Sequence, residues 1–193
     1  MFHVEQFLLF KYIFEMKKQL DLEIVKNSIR NIPDFPKPGI HFKDVSTSYQ
    51  DGAIFSFIAS EIYEHYKDIG ITKVVGIESR GFIIGSILAN KLNTGFIPIR
   101  KPGKLPSEIY SQSYELEYGF DTLEIHQDAL TANDVVLIHD DLLATGGTVR
   151  AAIDLVRKFG ISNIYVNFFV ELDFLNGIDK IDSSVPIWSL IHF

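Results

Sequence analysis

Asp140 and Asp141 stand between an apolar run, Val135-Val136-Leu137-Ile138, and a turn of small residues, Ala144-Thr145-Gly146-Gly147-Thr148. The run is of the kind found in parallel strands buried on both faces. In open α/β sheets, ligands bind outside the carboxyl ends of such strands. The Thr145–Thr148 turn offers several backbone N–H groups at the start of a helix, where donors and dipole favour a phosphate. Gly146 and Gly147 let the backbone approach a ligand closely, and the two threonine hydroxyls add donors. The carboxylates, as acceptors, suit a pair of vicinal hydroxyls beside that phosphate. A phosphate and a diol held together describe a ribose 5-phosphate. A Gly-Gly turn alone is usually only a turn, and an Asp pair often only caps a helix. Their joint position after a buried strand gives the pattern its weight. Neither G-x-x-x-x-G-K-[ST] nor G-x-G-x-x-G occurs.

A compact basic cluster, Arg100, Lys101 and Lys104, precedes a stretch from Leu105 to Val149 without Lys or Arg. That stretch holds nine acids, which leaves 18 bases against 16 acids elsewhere in a chain of net charge −7. On charge alone, an acidic stretch of this kind reads as a solvated loop. The overall charge disfavours a protein that coats nucleic-acid backbone. With no cysteine there is no disulfide, thiolate nucleophile or Cys-ligated zinc, which fits a reducing cytoplasm. The six histidines are scattered and read as structural or surface groups. Sixteen phenylalanines point to aromatic packing or an apolar subunit contact.

The elements that must position these residues follow from periodicity. At 193 residues and 47% apolar content the chain reads as one globular domain. Leu22, Val25 and Ile29 mark a helix ended by Pro33, and three prolines exclude regular structure from Pro33 to Gly39. Ile54, Phe57, Ile58 and Ile62 predict a helix reaching towards Gly70. Val74–Ile77 reads as a strand, Ile83–Leu88 as a helix, and Phe96–Ile99 as a strand whose Pro98 suggests an edge. Tyr110–Glu124 alternates like a hairpin. A helix through Val149, Ala152, Ile153 and Val156 and a strand over Ile164–Val170 complete one α/β domain with a mainly parallel sheet. Residues 1–15 lack a signal-peptide pattern and are too short and too charged to span a bilayer. They read as an extra helix or, the favoured expectation, as a start assigned upstream of Met16; residues 16–193 form the domain.

These segments resemble the type I phosphoribosyltransferases, and the variant Asp-Leu-Leu-Ala-Thr-Gly-Gly-Thr resembles their adenine-using branch. Ile32-Pro33-Asp34-Phe35-Pro36-Lys37-Pro38-Gly39-Ile40, Gly76-Ile77-Glu78-Ser79-Arg80-Gly81-Phe82, Arg100-Lys101-Pro102-Gly103-Lys104-Leu105-Pro106 and Ser113-Tyr114-Glu115-Leu116-Glu117-Tyr118-Gly119 match in the same order. The resemblance covers about Leu20 to Phe193. It implies that fold, with a small N-terminal hood over about 32–48 and a flexible loop over about 101–119. It also implies that adenine attacks C1 of phosphoribosyl pyrophosphate (PRPP), that pyrophosphate leaves, and that AMP forms with inversion.

The resemblance distributes the roles. Asp140, Asp141, Ala144, Thr145, Gly146, Gly147 and Thr148 would hold the ribose 5-phosphate. Glu78, Ser79, Arg80, Arg100, Lys101 and Lys104 would serve the pyrophosphate, with Arg80 as a catalytic clamp and Glu78–Ser79 as a cis peptide. Glu117 would exchange a proton near adenine N7. Ile40, Phe42, Lys43 and Leu172 would hold the base, Leu172 fitting a core role equally well. His41, Lys43 and His139 depart from the family pattern. Magnesium would be held by PRPP and water rather than by a ligand cluster, and the enzyme would be a cytoplasmic homodimer. A sister transferase for xanthine, hypoxanthine or a pyrimidine shares only the PRPP loop. A PRPP-sensing regulator could lose Glu117 or Arg80 and would present a basic surface; both residues are present and the chain is acidic.

Overall fold

The computed structural model describes residues 21–115 and 119–193, which excludes the N-terminal extension and Glu117. Two compact units divide between Glu61 and Ile62.

In the first unit, α1 (Leu22–Ser28) is capped by Asp21, whose carboxylate accepts the Ile24 N–H, and it buries Val25. The helix stops before the expected Pro33, because Arg30–Pro33 instead forms β1, paired antiparallel with β2 (His41–Asp44). Pro33 ends that strand, where its missing donor is tolerated. The connecting turn is closed by the Gly39 N–H donating to Asp34 Oδ1 at 2.7 Å, with positive φ at both residues. The proline-rich segment is thus the tip of a β-ribbon. The short α2 (Ser46–Gln50) follows, and then α3 (Gly52–Tyr66), within which the two units divide and which buries Ile54, Ile58 and Ile62 as its spacing predicts.

The second unit is built on a five-stranded parallel sheet in the order β4-β3-β7-β8-β9. Its strands are β3 (Lys73–Ile77), β4 (Gly95–Ile99), β7 (Val136–Leu143), β8 (Ile164–Glu171) and β9 (Ile187–His192). The β4 strand lies at the edge, as Pro98 suggests. Between β3 and β4 runs α4 (Gly81–Lys91), and β7 leads into α5 (Gly147–Arg157). A hairpin, β5 (Ile109–Glu115) with β6 (Phe120–His126), stands apart from the sheet. Val75, Ile77, Ile138, Val166 and Phe168 from the sheet bury themselves against Ile153 and Val156 of α5 and Leu123 and Ile125 of β6. Burial of this area is the main term holding hairpin, sheet and α5 as one core. No described helix is long and apolar enough to cross a membrane.

Candidate active site

The apolar run does not stop at Ile138: β7 continues to Leu143, so Asp140 and Asp141 are consecutive strand residues. Asp141 is buried and accepts from Arg80 Nε in an ion pair. Asp140 lines a pocket with Leu142, Leu143, Ala144, Thr145, Gly146, Thr148, Val149 and Phe168. Burial, together with the Asp141 carboxylate beside it, pushes the Asp140 carboxyl well above the usual carboxylate range.

After Leu143 the chain turns through Ala144 and Thr145 to Gly146, whose φ of +79° starts α5. Only glycine adopts this backbone at little cost. The first N–H groups of α5 then have no helical partner and border the pocket. The turn is braced from the other side. A Cβ on Gly146 would lie 2.2 Å from the Gly177 carbonyl oxygen, and one on Gly177 would lie 2.1 Å from that of Ala144. Gly177 begins a 3-10 turn, Gly177–Lys180, and belongs to no motif read in the sequence.

Glu78, at the end of β3, is joined to Ser79 by a cis peptide, as the resemblance implies. Its carboxylate accepts from Arg100 Nε at 3.1 Å and Nη2 at 3.2 Å, and from the Lys101 N–H at 2.7 Å. The Arg100 hydrogen bonds and the Lys101 amide, with the charges of Arg100 and Lys104, hold Glu78 below the usual carboxylate range. Glu78 is therefore the organiser of the basic cluster. Arg80 pairs with Asp141 and not with Glu78. Gly81 opens α4 so close to β7 that a Cβ there would lie 2.7 Å from the His139 carbonyl oxygen.

The acidic stretch is not a solvated loop throughout. Arg100 and Glu124 exchange both backbone hydrogen bonds, and the buried Glu124 side chain accepts the Gly103 N–H at 3.0 Å. Asp121 pairs with Lys101. Charge counting missed both pairings, which depend on the hairpin register and on the bridge between Arg100 and Glu124. Asp134 is also buried, bonded to Thr72 and Thr131.

His139 has the local partner that its position demands. Fully buried on β7, it bonds through Nδ1 to Asn167 Oδ1 at 2.7 Å, while the Asn167 amide nitrogen donates to the Trp188 carbonyl at 3.0 Å. Burial lowers its pKa to about 4. Leu172 is buried just past the end of β8. In the first unit, Phe42 packs edge-on against Phe35 at 5.2 Å, Ile40 is exposed, and Lys43 follows on β2. His41 lies 3.4 Å from Asn31 Nδ2 across the ribbon.

The Phosphoribosyl transferase domain family model matches residues 46–180. The adenine phosphoribosyltransferase of Bacteroides thetaiotaomicron is 57% identical over 169 residues, covering 88% of this chain and 96% of that protein. That of Shewanella pealeana is 52% identical over 173 residues, covering 89% and 94%. Among solved structures, adenine phosphoribosyltransferase from Thermoanaerobacter pseudethanolicus superposes with a TM-score of 0.86 at 46% identity, covering 90% of this chain and all of that one. The Giardia lamblia enzyme, complexed with 9-deazaadenine, gives 0.86 at 43%, covering 91% and 99%.

Proposed function

The chain belongs to the phosphoribosyltransferase family, and from that premise we propose that it transfers the 5-phosphoribosyl group of PRPP to adenine, giving AMP and pyrophosphate. Relatives of 50–59% identity bear the name adenine phosphoribosyltransferase. The observation that carries the reading is the pocket joining Asp140 to the Thr145–Gly146–Thr148 turn at the carboxyl end of β7. A carboxyl beside a helix start at a strand's carboxyl end is an arrangement that supports the binding of a ribose 5-phosphate.

In the reaction the adenine N9–C1 bond forms as the C1–O bond to pyrophosphate breaks, and N9 loses its proton. Charge builds on the leaving pyrophosphate, so preorganised cations contribute most. Arg80, Arg100, Lys101 and Lys104 are assigned to it, with Glu78 and Ser79 shaping the loop that presents them. The backbone of Ala144 to Thr148 takes the 5-phosphate, while Asp140 and Asp141 meet the ribose hydroxyls. Glu117 lends a proton to N7 while the N9 proton passes to water, and recovers it as neutral AMP forms. Ile40, Phe42, Lys43 and Leu172 are assigned to the base on the resemblance.

Magnesium fits this donor set in one way. Among the described residues, the grouping that could form a protein-held metal site is Glu171, Asp173 and His192, and it does not include the Asp140–Asp141 pair. A magnesium ion at the pocket would be held by PRPP oxygens and water, with Asp140 nearby, in keeping with its preference for substrate phosphates and retained waters. Bound there, it would neutralise leaving-group charge. Two-fold assembly and a cytoplasmic setting belong to the same proposal; exposed Phe120 and Phe174 offer apolar surface to a second copy. The test is product analysis: PRPP, MgCl2 and adenine should give AMP and pyrophosphate in equal amounts, and chelation should stop it. Consumption of PRPP without AMP would refute the assignment.

A further inference from the structure

Lys101 is held at two points. Its backbone N–H donates to Glu78 Oε2 at 2.7 Å, which fixes the start of its side chain beside the basic cluster. Its ammonium pairs with Asp121 Oδ2 and donates to the Tyr114 hydroxyl at 3.1 Å, lying 5.6 Å from the centre of that ring. Tyr114 and Asp121 are directly opposed in the β5–β6 register, so their side chains share one face of the hairpin. Asp121 is itself fixed: Oδ1 accepts the Thr122 N–H at 2.8 Å, and Oδ2 accepts the Tyr114 hydroxyl at 3.1 Å. An ammonium has three N–H donors, and Asp121 and Tyr114 take two. The Lys101 side chain remains 35% exposed, so one donor can still meet an incoming oxygen.

From this juxtaposition we propose that Asp121 is the positioning residue that aims the Lys101 ammonium at the pyrophosphate of PRPP, with Tyr114 as its accessory. A lysine side chain loses considerable rotamer freedom when it meets an anion, and a carboxylate that has already ordered it removes part of that cost. This inference rests on the assignment of Lys101 to the pyrophosphate.

Steady-state kinetics on the full chain separates the two. Lys101→Met is expected to raise the KM for PRPP about tenfold. Asp121→Asn should raise it about fivefold with kcat changed less than twofold, and Tyr114→Phe, which deletes only the hydroxyl, about twofold. In the Lys101→Met background, Asp121→Asn should have no further effect, a non-additivity that a merely structural carboxylate would not show. If Lys101→Met raises KM while Asp121→Asn leaves it unchanged or lowers it, Asp121 does not position the lysine and the inference fails alone. If Lys101→Met leaves KM unchanged, the pyrophosphate assignment fails and takes the inference with it.

Discussion

Arg80 donates through Nε to the buried carboxylate of Asp141, so a cation assigned to the pyrophosphate and a carboxylate assigned to the ribose neutralise each other across α4 and β7. Each holds the other in place between turnovers. On the proposed assignment, substrate would add contacts to an ordered pair rather than order two loose side chains.

Arg80→Ala should therefore do two things. It removes leaving-group stabilisation, expected to lower kcat by about 10²-fold. It also strands the Asp141 carboxylate, expected to cost about 1–3 kcal/mol of stability. Rate assays and denaturant unfolding on the same variant read both, and a rate loss with unchanged stability would contradict the pairing.

His139 sets an acid limit. Its pKa is about 4 in the fold against 6.5 in the unfolded chain, so below pH 6.5 the unfolded state binds a proton that the fold refuses. The stability it supports is present above pH 6.5 and is lost as pH falls to about 4. At roughly 1.4 kcal/mol per pH unit, the loss approaches 3 kcal/mol. His139→Gln keeps a donor for Asn167 without titrating, and urea unfolding between pH 4 and 7 should show a flatter dependence.

Gly177→Ala tests the brace behind the phosphate turn. The added Cβ meets the Ala144 carbonyl, and backbone must shift to admit it. The KM for PRPP is expected to rise at least tenfold while the KM for adenine changes little. Equal rises in both would mean that the brace serves the whole site.

Glu117→Gln tests the proposed proton donor while keeping its size. Turnover is expected to fall by about 10²-fold, within the usual range for an acid–base group. Near-normal turnover would remove this residue from the mechanism.

The sheet strands β3, β4, β7 and β8 and both their helices were legible because each buries a short apolar run or an amphipathic face. The turn before α5 was legible because Gly146 must take positive φ at a helix start. Three features were not. The ribbon of Arg30–Pro33 with His41–Asp44 is half exposed and contains proline, so alternation and propensity gave no strand signal. β9 closes the far edge with Ile187–His192, a short run whose Ser189 and His192 interrupt the apolar pattern. The use of Asp121 and Glu124 to hold the basic cluster depends on hairpin register and strand crossing, which charge counting does not contain.

Base selectivity is the most direct measurement: kcat/KM for adenine, hypoxanthine, xanthine and uracil with PRPP and magnesium in excess. Adenine should exceed every other base by at least 10³-fold. Comparable or faster turnover of hypoxanthine would contradict the assignment to adenine while leaving the PRPP site intact.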